Sequence, residues 1–309
     1  MPENNNNNLI DLSICVINHR TPELLARCLQ SIARSETECV VEVIIVNNTN
    51  DDTIAIEQLT RSFRRSRFIQ NSYPLGFAAN QNQMLRCAQG RYWMPLNSDT
   101  EVTPGALAEL VRFMDNHPDC AIAGPRLIYP DERLQPSMRS FPSGYTHFLE
   151  ASGLWRLAPR STRIGRYYGL LSPHDCVQEA DWLTGACLIV RRVAAEAVGL
   201  YDEVNFPGMY GEDLDWCWRI RQAGWKVYFD PAATVSHCES ASPLGERTLK
   251  MFEGFYTFCW LHYSQGQRCA IRTATIAALL PRFLLTNGHE RRRLYLRLMQ
   301  LPINRGFRS

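Results

Sequence analysis

The sequence predicts an α/β protein: a mostly parallel central sheet flanked by helices, followed by a helical C-terminal extension. Three observations carry this. From Leu12 to Asn116, short apolar runs alternate with stretches of helical periodicity, the pattern of strands joined by crossover helices and covered on both faces. Early apolar runs stop at loops rich in amides and carboxylates, which is where open α/β sheets place their ligands. From Glu246 onward the chain reads as helix, with aromatics first and arginines after.

Taken in order, Leu12 to Ile17 reads as a first strand ending at Asn18-His19-Arg20. Thr21 then suits an N-cap, with Pro22 at the first helical position, and Leu24, Leu25, Cys28, Leu29 and Ile32 form one apolar helical face. Cys39 to Val46 predicts a second strand that ends at Asn47-Asn48-Thr49-Asn50-Asp51-Asp52, and a charged helix follows to Arg65. Phe68 to Gln70 is a short strand, and Phe77 to Ala88 a helix stopped by Gly90. Arg91 to Leu96 is a fourth strand, terminated by Asn97-Ser98-Asp99. Thr103-Pro104 repeats the cap-plus-proline start, for a helix to Asn116. Residues 130 to 175, rich in Pro, Gly, Ser and Arg, read as loop. Glu179 to Val190 predicts a strand interrupted at Thr184-Gly185-Ala186, residues 191–198 a short helix, and Glu212 to Ala223 a helix ended by Gly224. Lys226 to Phe229 is the last strand expected, with His237 closing a short apolar run after it.

Composition narrows the function classes. The 309 residues are 45 % hydrophobic and 21 % charged, enough for one large α/β domain with additions. A formal net charge of +2 gives no global field for nucleic acid. Charge is uneven, however: from Arg282 to Arg308 there are seven Arg against one Glu, and basic ends of this kind suit either an anionic membrane surface or a solvated helix face. The 11 Cys form no Cys-x-x-Cys pair and several sit in apolar runs. They read as small buried hydrophobes in a reducing, cytoplasmic compartment, with neither a disulfide framework nor a zinc site. The Asn run before Leu9 has no apolar signal core and reads as a disordered tail over residues 1–9. Ala274 to Leu280, bounded by Arg272, Pro281 and Arg282, is shorter than the roughly 20 residues of a membrane span.

The polar strand ends carry the chemistry. Asn18, Asn47, Asn82 and Asn97 fall at or just beyond the ends of successive early strands, so a parallel sheet gathers them on one edge, where amides suit a pyrimidine base and a ribose. Each alone is equally a turn or capping residue. Asp99 is a hard oxygen ligand of the kind a divalent cation shares with phosphates. Glu212 and Asp213 open a helix, with Asp215 in the same turn. The helix dipole explains one of them, and a carboxylate held there can take a proton from a hydroxyl nucleophile. His237, at a strand end, is either a metal or phosphate contact or simply a polar residue.

Eight segments in order then resemble glycosyltransferase family 2, its rhamnosyltransferase-like members in particular. They are Asn18-His19-Arg20, Val46 to Asp51, Leu75 to Asn82, Leu96 to Val102, Gly124-Pro125-Arg126-Leu127, Asp181 to Cys187, Tyr210 to Asp215 and Val235-Ser236-His237. The resemblance implies a GT-A fold over residues 10–240, with a nucleotide-binding half (10–125), an acceptor-side half (126–240) and a basic helical extension (241–309). It implies inverting transfer of a sugar from a nucleotide-sugar donor to a hydroxyl of a glycan or lipid-linked acceptor, in polysaccharide biosynthesis. Asp213 matches the catalytic base. Asp99 matches the last position of the motif that holds Mg²⁺ or Mn²⁺ on the diphosphate, and His237 a position beside that metal. Asn18, Arg20, Asn47, Asn82, Asn97 and Ser98 match the nucleotide-sugar-binding side. Trp182, Thr184, Gly185, Ala186 and Glu212 match the donor-sugar and acceptor side. The softest expectation is the donor, dTDP-rhamnose, with UDP- or GDP-hexoses as the alternative.

Two departures matter. Asn97 stands where the metal motif often begins with Asp, and Asn47 where the second strand usually ends in Asp. A neutral amide at 47 still accepts a hydrogen bond, so weaker donor binding or altered base selectivity is expected. It also leaves open a non-catalytic nucleotide-sugar binder. A nucleotidyltransferase would need a Gly-rich loop after the first strand, and Asn18 to Pro22 contains no Gly. The aromatic and Arg-rich end suits peripheral contact with the cytosolic face of a membrane.

Overall fold

In the computed structural model the described residues are 9–35, 39–49, 53–154, 174–239 and 244–301. The expected disordered tail lies outside them except for Leu9, as do Asn50, Asp51 and Asp52 and the second half of the expected loop.

The first half alternates as expected. Strand β1 (Leu12–Asn18) is followed by helix α1 (Pro22–Ser35), then β2 (Val41–Asn47), α2 (Thr53–Arg61), β3 (Ser66–Gln70), α3 (Phe77–Leu85) and β4 (Tyr92–Asn97). Pro22 does open α1, but the Thr21 hydroxyl contacts Ser98 Oγ at 3.2 Å. A short strand, β5 (Thr100–Val102), follows directly on the polar loop and was not expected. Helix α4 (Ala106–Asn116) starts two residues later than the proline signal indicates, because Gly105 takes a left-handed turn (φ 79°) ahead of it.

The second half is less regular. It runs β6 (Cys120–Ile128), β7 (Leu134–Gln135), β8 (Met138–Arg139), α5 (Gly144–Ser152), β9 (Gln178–Ala180), β10 (Trp182–Leu183), β11 (Ile189–Arg191), α6 (Arg192–Val198), α7 (Glu212–Gln222) and β12 (Lys226–His237). Three readings change here. Helix α5 sits inside the stretch expected to be loop. The single interrupted strand over Glu179 to Val190 is three short strands. The two runs around Pro231 form one strand, β12, whose register against β6 shifts between Asp230 and Thr234 and so absorbs the proline. Helices α8 (Leu244–His262), α9 (Gln265–Leu285) and α10 (His289–Gln300) complete the chain.

The main sheet has the order β3-β2-β1-β4-β11-β6-β12-β5. It is parallel from β3 through β4, as the alternation requires, and mixed beyond: β11 runs antiparallel to both β4 and β6, and β12 is parallel to β6 and antiparallel to β5. Strand side chains alternate between faces. Leu12, Ile14 and Val16 meet α1 and α4 on one side, while Cys15, Ile44 and Val46 meet α3, α6 and α7 on the other. Burial on both faces is why these strands read as unbroken apolar runs. All 11 Cys are free thiols.

The C-terminal helices pack onto the second half of the sheet domain through Phe206, Leu214, Tyr256, Phe258 and Tyr263. A capping box between Ser264 and Gln267 starts α9. Two glycines set how closely α8 approaches the main domain. A Cβ on Gly254 would lie 2.0 Å from the Tyr210 carbonyl oxygen, and one on Gly211 would lie 2.9 Å from Gly254 Cα. Helix α8 is therefore in direct backbone contact with the turn that leads into α7.

Candidate active site

The parallel register sets Asn18 beside Asn47 and Asn47 beside Gln70 at the carboxyl edge of the sheet. Their side chains are joined. Asn18 Nδ2 donates to Asn47 Oδ1 at 2.7 Å, Asn47 Nδ2 donates to Gln70 Oε1 at 2.9 Å, and the Thr21 N–H donates to Asn18 Oδ1 at 3.3 Å. Asn48, Asn71 and Asn80 extend this amide network and fix the Leu75-Gly76 turn, with Asn48 Oδ1 accepting from the Leu75 N–H and Asn80 Nδ2 donating to the Gly76 carbonyl. Asn82 is buried and points elsewhere: Nδ2 donates to the Tyr201 carbonyl and Glu203 Oε2, and Oδ1 accepts from the Tyr201 N–H. Two of the expected nucleotide-side amides, Asn18 and Asn47, thus shape the edge through internal bonds, and Asn82 is spent on the Tyr201 main chain and Glu203. Arg20 is exposed there in a left-handed conformation (φ 60°), uncommon for a residue with a side chain.

A second group lies where β4 ends. His237 closes β12 opposite Thr100 of β5, which brings its Nε2 to 3.3 Å from Asp99 Oδ1. The other ring nitrogen, Nδ1, is 2.8 Å from Gln135 Oε1. Donation from Nδ1–H to that oxygen leaves Nε2 as a lone pair facing a carboxylate oxygen, an arrangement that a cation between them relieves. Among the described residues no cluster of three or more His, Cys, Asp or Glu forms a closed metal cage. One carboxylate and one imidazole fit instead a divalent ion that completes its shell with phosphate oxygens and water. Asn97 lines the adjoining cavity, and Ser98 is held by Thr21.

The carboxylates at the start of α7 form the third group. Tyr210 (φ 78°) and Gly211 (φ 99°) are both left-handed and turn the chain sharply into the helix. The Gly185 N–H donates to Asp213 Oδ2 at 3.0 Å. Asp213 Oδ1 and Glu212 Oε2 are shielded from solvent with no hydrogen-bond partner, a condition that buried polar atoms rarely tolerate without a functional reason. Burial pushes the Asp213 carboxyl up to about 7, against the opposing pull of the Gly185 N–H. Burial first, and the neighbouring Asp213 charge second, push Glu212 up as well. Asp215, in the same turn, is spent on structure: it pairs with Arg219 at 2.8 Å and His262 Nε2 at 2.7 Å, tying α7 to α8.

Residues 184–187 join the second and third groups. The Asn97 N–H donates to the Ala186 carbonyl at 3.0 Å, one residue from the Gly185–Asp213 bond, and Leu96 bridges Cys187. A cavity of about 510 Å³ opens over this junction, within the size range of small-molecule sites. Asn97, Trp182, Thr184, Gly185, Ala186, Glu212, Asp213 and His237 all line it. Its far wall is aromatic and apolar, with Pro142 and His147 from the α5 region and Met251, Phe252 and Phe255 from α8. Buried His147 stacks on Phe255 at 4.3 Å, and burial holds its pKa down at about 3, so it is a neutral wall residue.

Among the wall residues that the sequence reading missed are Tyr129, Gln135, Glu239 and Arg247. Glu239 Oε2 accepts from Tyr129 Oη and Gln135 Nε2, both at 3.2 Å, and Glu239 Oε1 pairs with Arg247. The two-residue spacing from His237 to Glu239 was the one sequence signal for any of them.

The chain and its fold have relatives among known proteins. The profile described as "Glycosyl transferase family 2" matches residues 13–180. The chain is 28 % identical over 246 residues to the N-acetylglucosaminyl-diphospho-decaprenol L-rhamnosyltransferase of Mycobacterium tuberculosis, covering 75 % of this chain and 77 % of that protein. It is also 28 % identical over 207 residues to the uncharacterized protein y4gI of Sinorhizobium fredii, covering 65 % of this chain but only 21 % of that longer protein. Among solved structures, GalNAc-T7 with UDP, GalNAc and Mn²⁺ superposes with a TM-score of 0.59 at 15 % identity, over 82 % of this chain and 51 % of that one. At that identity the likeness bears on the fold, which is GT-A. With more than half of its length under the family profile, this chain belongs to glycosyl transferase family 2.

Proposed function

We propose that the protein is an inverting, metal-dependent glycosyltransferase that moves rhamnose from dTDP-rhamnose to a hydroxyl of a glycan or lipid-linked acceptor. The carrying observation is the shielded, half-satisfied carboxylate of Asp213, on the same cavity as His237 and its neighbour Asp99. Inverting transfer is a single in-line displacement. It needs a base beside the acceptor and charge stabilisation beside the leaving diphosphate. Asp213 Oδ1 takes the acceptor proton while the Gly185 N–H holds Oδ2. A pKa near 7 suits a base that works near neutral pH. Asp99 and His237 hold Mg²⁺ or Mn²⁺, which supplies Lewis-acid neutralisation of the diphosphate when bound. Asn97 and Ser98 face the donor, and Arg20 the nucleotide. Asn18 and Asn47 contribute by shaping that edge, and Asn82 by holding the Tyr201 main chain. Trp182, Thr184, Gly185, Ala186 and Glu212 border the transferred sugar and acceptor.

The rhamnosyltransferase relative supports the donor sugar and a lipid-linked acceptor. The surface of α9 also supports a lipid-linked acceptor. Ile276, Leu280 and Leu284, spaced four apart on one face, are 38, 44 and 63 % exposed, and the exposed Arg291, Arg292 and Arg293 open the next helix, α10. An apolar stripe with arginines on the following helix suits the headgroup region of an anionic membrane and supports a reading of peripheral contact with its cytosolic face. No helix of the described residues is long and apolar enough to cross a membrane.

The test is a panel of dTDP-, UDP- and GDP-sugars with and without Mn²⁺. Nucleotide release from dTDP-rhamnose is expected, and release solely from a UDP- or GDP-hexose overturns the donor assignment. The engaged side chain of Asn47 favours one second reading, a non-catalytic nucleotide-sugar binder. That reading predicts metal-dependent donor binding with no transfer to any acceptor.

A further inference from the structure

Helix α8 does more than wall the cavity. Arg247, in its first turn, lines the cavity and pairs with Glu239 Oε1. Glu239 sits two residues past His237, in a left-handed conformation (φ 48°) that turns the chain out of β12. Its Oε2 accepts from Gln135 Nε2 at 3.2 Å, and Gln135 Oε1 meets His237 Nδ1 at 2.8 Å. One continuous chain of side chains therefore runs from Asp99 through His237, Gln135 and Glu239 to Arg247.

We propose that Arg247 is a leaving-group residue: its guanidinium binds the donor's diphosphate, and Glu239 holds it ready when no donor is present. This rests on the donor-site reading above. Three observations carry it. The metal corner brings one carboxylate and one imidazole, so it leaves the charge of a diphosphate largely to other groups. Arg247 brings a guanidinium to the cavity wall and is linked to His237 through Glu239 and Gln135. The Arg247–Glu239 pair is about 30 % exposed on each side (29 % and 30 %), and a part-exposed ion pair is weak enough to exchange partners.

The exchange is chemically simple. A guanidinium presents paired N–H donors that match phosphate oxygens as well as carboxylate oxygens. As transfer proceeds, the bond from the anomeric carbon to the β-phosphate oxygen breaks and its electron pair stays on that oxygen. The acceptor oxygen forms the new bond and its proton passes to Asp213. Arg247 then faces the growing negative charge. The Gly211–Gly254 backbone contact fixes α8 against the turn bearing Asp213, so base and leaving-group cation share one rigid support.

The experiment is calorimetric titration of the full chain with inorganic pyrophosphate at constant Mn²⁺, with Tm measured for every variant. Wild type is expected to bind, and Arg247→Ala to bind at least tenfold more weakly with Tm little changed. Arg247→Lys should fall between, keeping the charge but not the fork. Glu239→Gln should bind as tightly as wild type or tighter, because the competing carboxylate charge is gone. If Arg247 merely clamps Glu239, then Arg247→Ala and Glu239→Gln will weaken binding alike and in step with Tm, and the proposal is overturned. Unchanged affinity in a folded Arg247→Ala variant overturns it too. Failure of the wild type to bind Mn²⁺-pyrophosphate overturns the donor-site reading and this one with it.

Discussion

The main-chain N–H of Gly185 reaches Asp213 Oδ2 at 3.0 Å, and it does so only because residue 185 has no side chain: a Cβ there would lie 2.3 Å from Oδ1 and 2.4 Å from Oδ2. The carboxylate proposed as base is thus seated on bare backbone. Gly185→Ala must push it aside, and displacements of about 1 Å in reacting groups cost on the order of 100-fold in rate. We expect turnover of Gly185→Ala to fall by about that factor while Mn²⁺ affinity is unchanged. Steady-state kinetics alongside metal titration checks this.

The raised carboxyl pKa values give a pH signature of stability. Asp213 moves from an ordinary 3.8 to about 7 on folding, so the folded chain holds the proton more tightly than the unfolded one. The contribution is present below about pH 4 and is lost as pH rises through 7. Glu212, shifted the same way, adds to it. Asp213→Asn and Glu212→Gln should each therefore raise Tm at pH 8, by roughly 2–6 °C, and change it little at pH 4. Calorimetric melts at the two pH values test the sign. Equal effects at both would show that the carboxyls are not strained by burial.

Asn47 is held as an amide by its neighbours. Its Nδ2 donates to Gln70 Oε1, while Gln70 Nε2 donates to the Thr49 and Asn71 carbonyls at 2.8 and 2.9 Å. A carboxylate at 47 would face the Gln70 oxygen, and turning Gln70 over would break both of its donations. Asn47→Asp is expected to destabilise by about 1–3 kcal/mol, measured by denaturant unfolding. The amide at 47 belongs to a matched pair with Gln70.

Gln135 orients His237 from behind. Loss of such a partner typically weakens metal affinity 10–100-fold. Gln135→Leu should do so for Mn²⁺, read by metal titration of the folded protein.

Much of the first half was legible because its strands are buried on both faces and its helices carry period-3.6 stripes. Leu12 to Val16 and Val43 to Val46 stand out on hydrophobicity alone. The carboxylates and His237 were legible as residues, since strand ends and helix starts are where such groups gather. Two kinds of feature were not. Helix α5 hides among Pro, Gly and Ser, and its stability comes from packing on α9, with Gly144 against Ala270 and buried His147 bonded to Thr275 at 2.8 Å. Gln135, Glu239 and Arg247 matter through contacts across |i−j| of about 8 to 110 residues, which no local pattern encodes. The amides at 18, 47 and 82 show the opposite failure. Their residue type was noticed, but their partners, which decide that they act through internal bonds, appear only in the fold.

The most direct test of the account compares wild type with Asp213→Asn for nucleotide release and sugar transfer from dTDP-rhamnose, with donor affinity measured in parallel. The account predicts a loss of turnover on the order of 10²–10⁴-fold with donor affinity unchanged within about threefold, and a wild-type rate that rises with pH through about 7. Retained turnover in Asp213→Asn would contradict it.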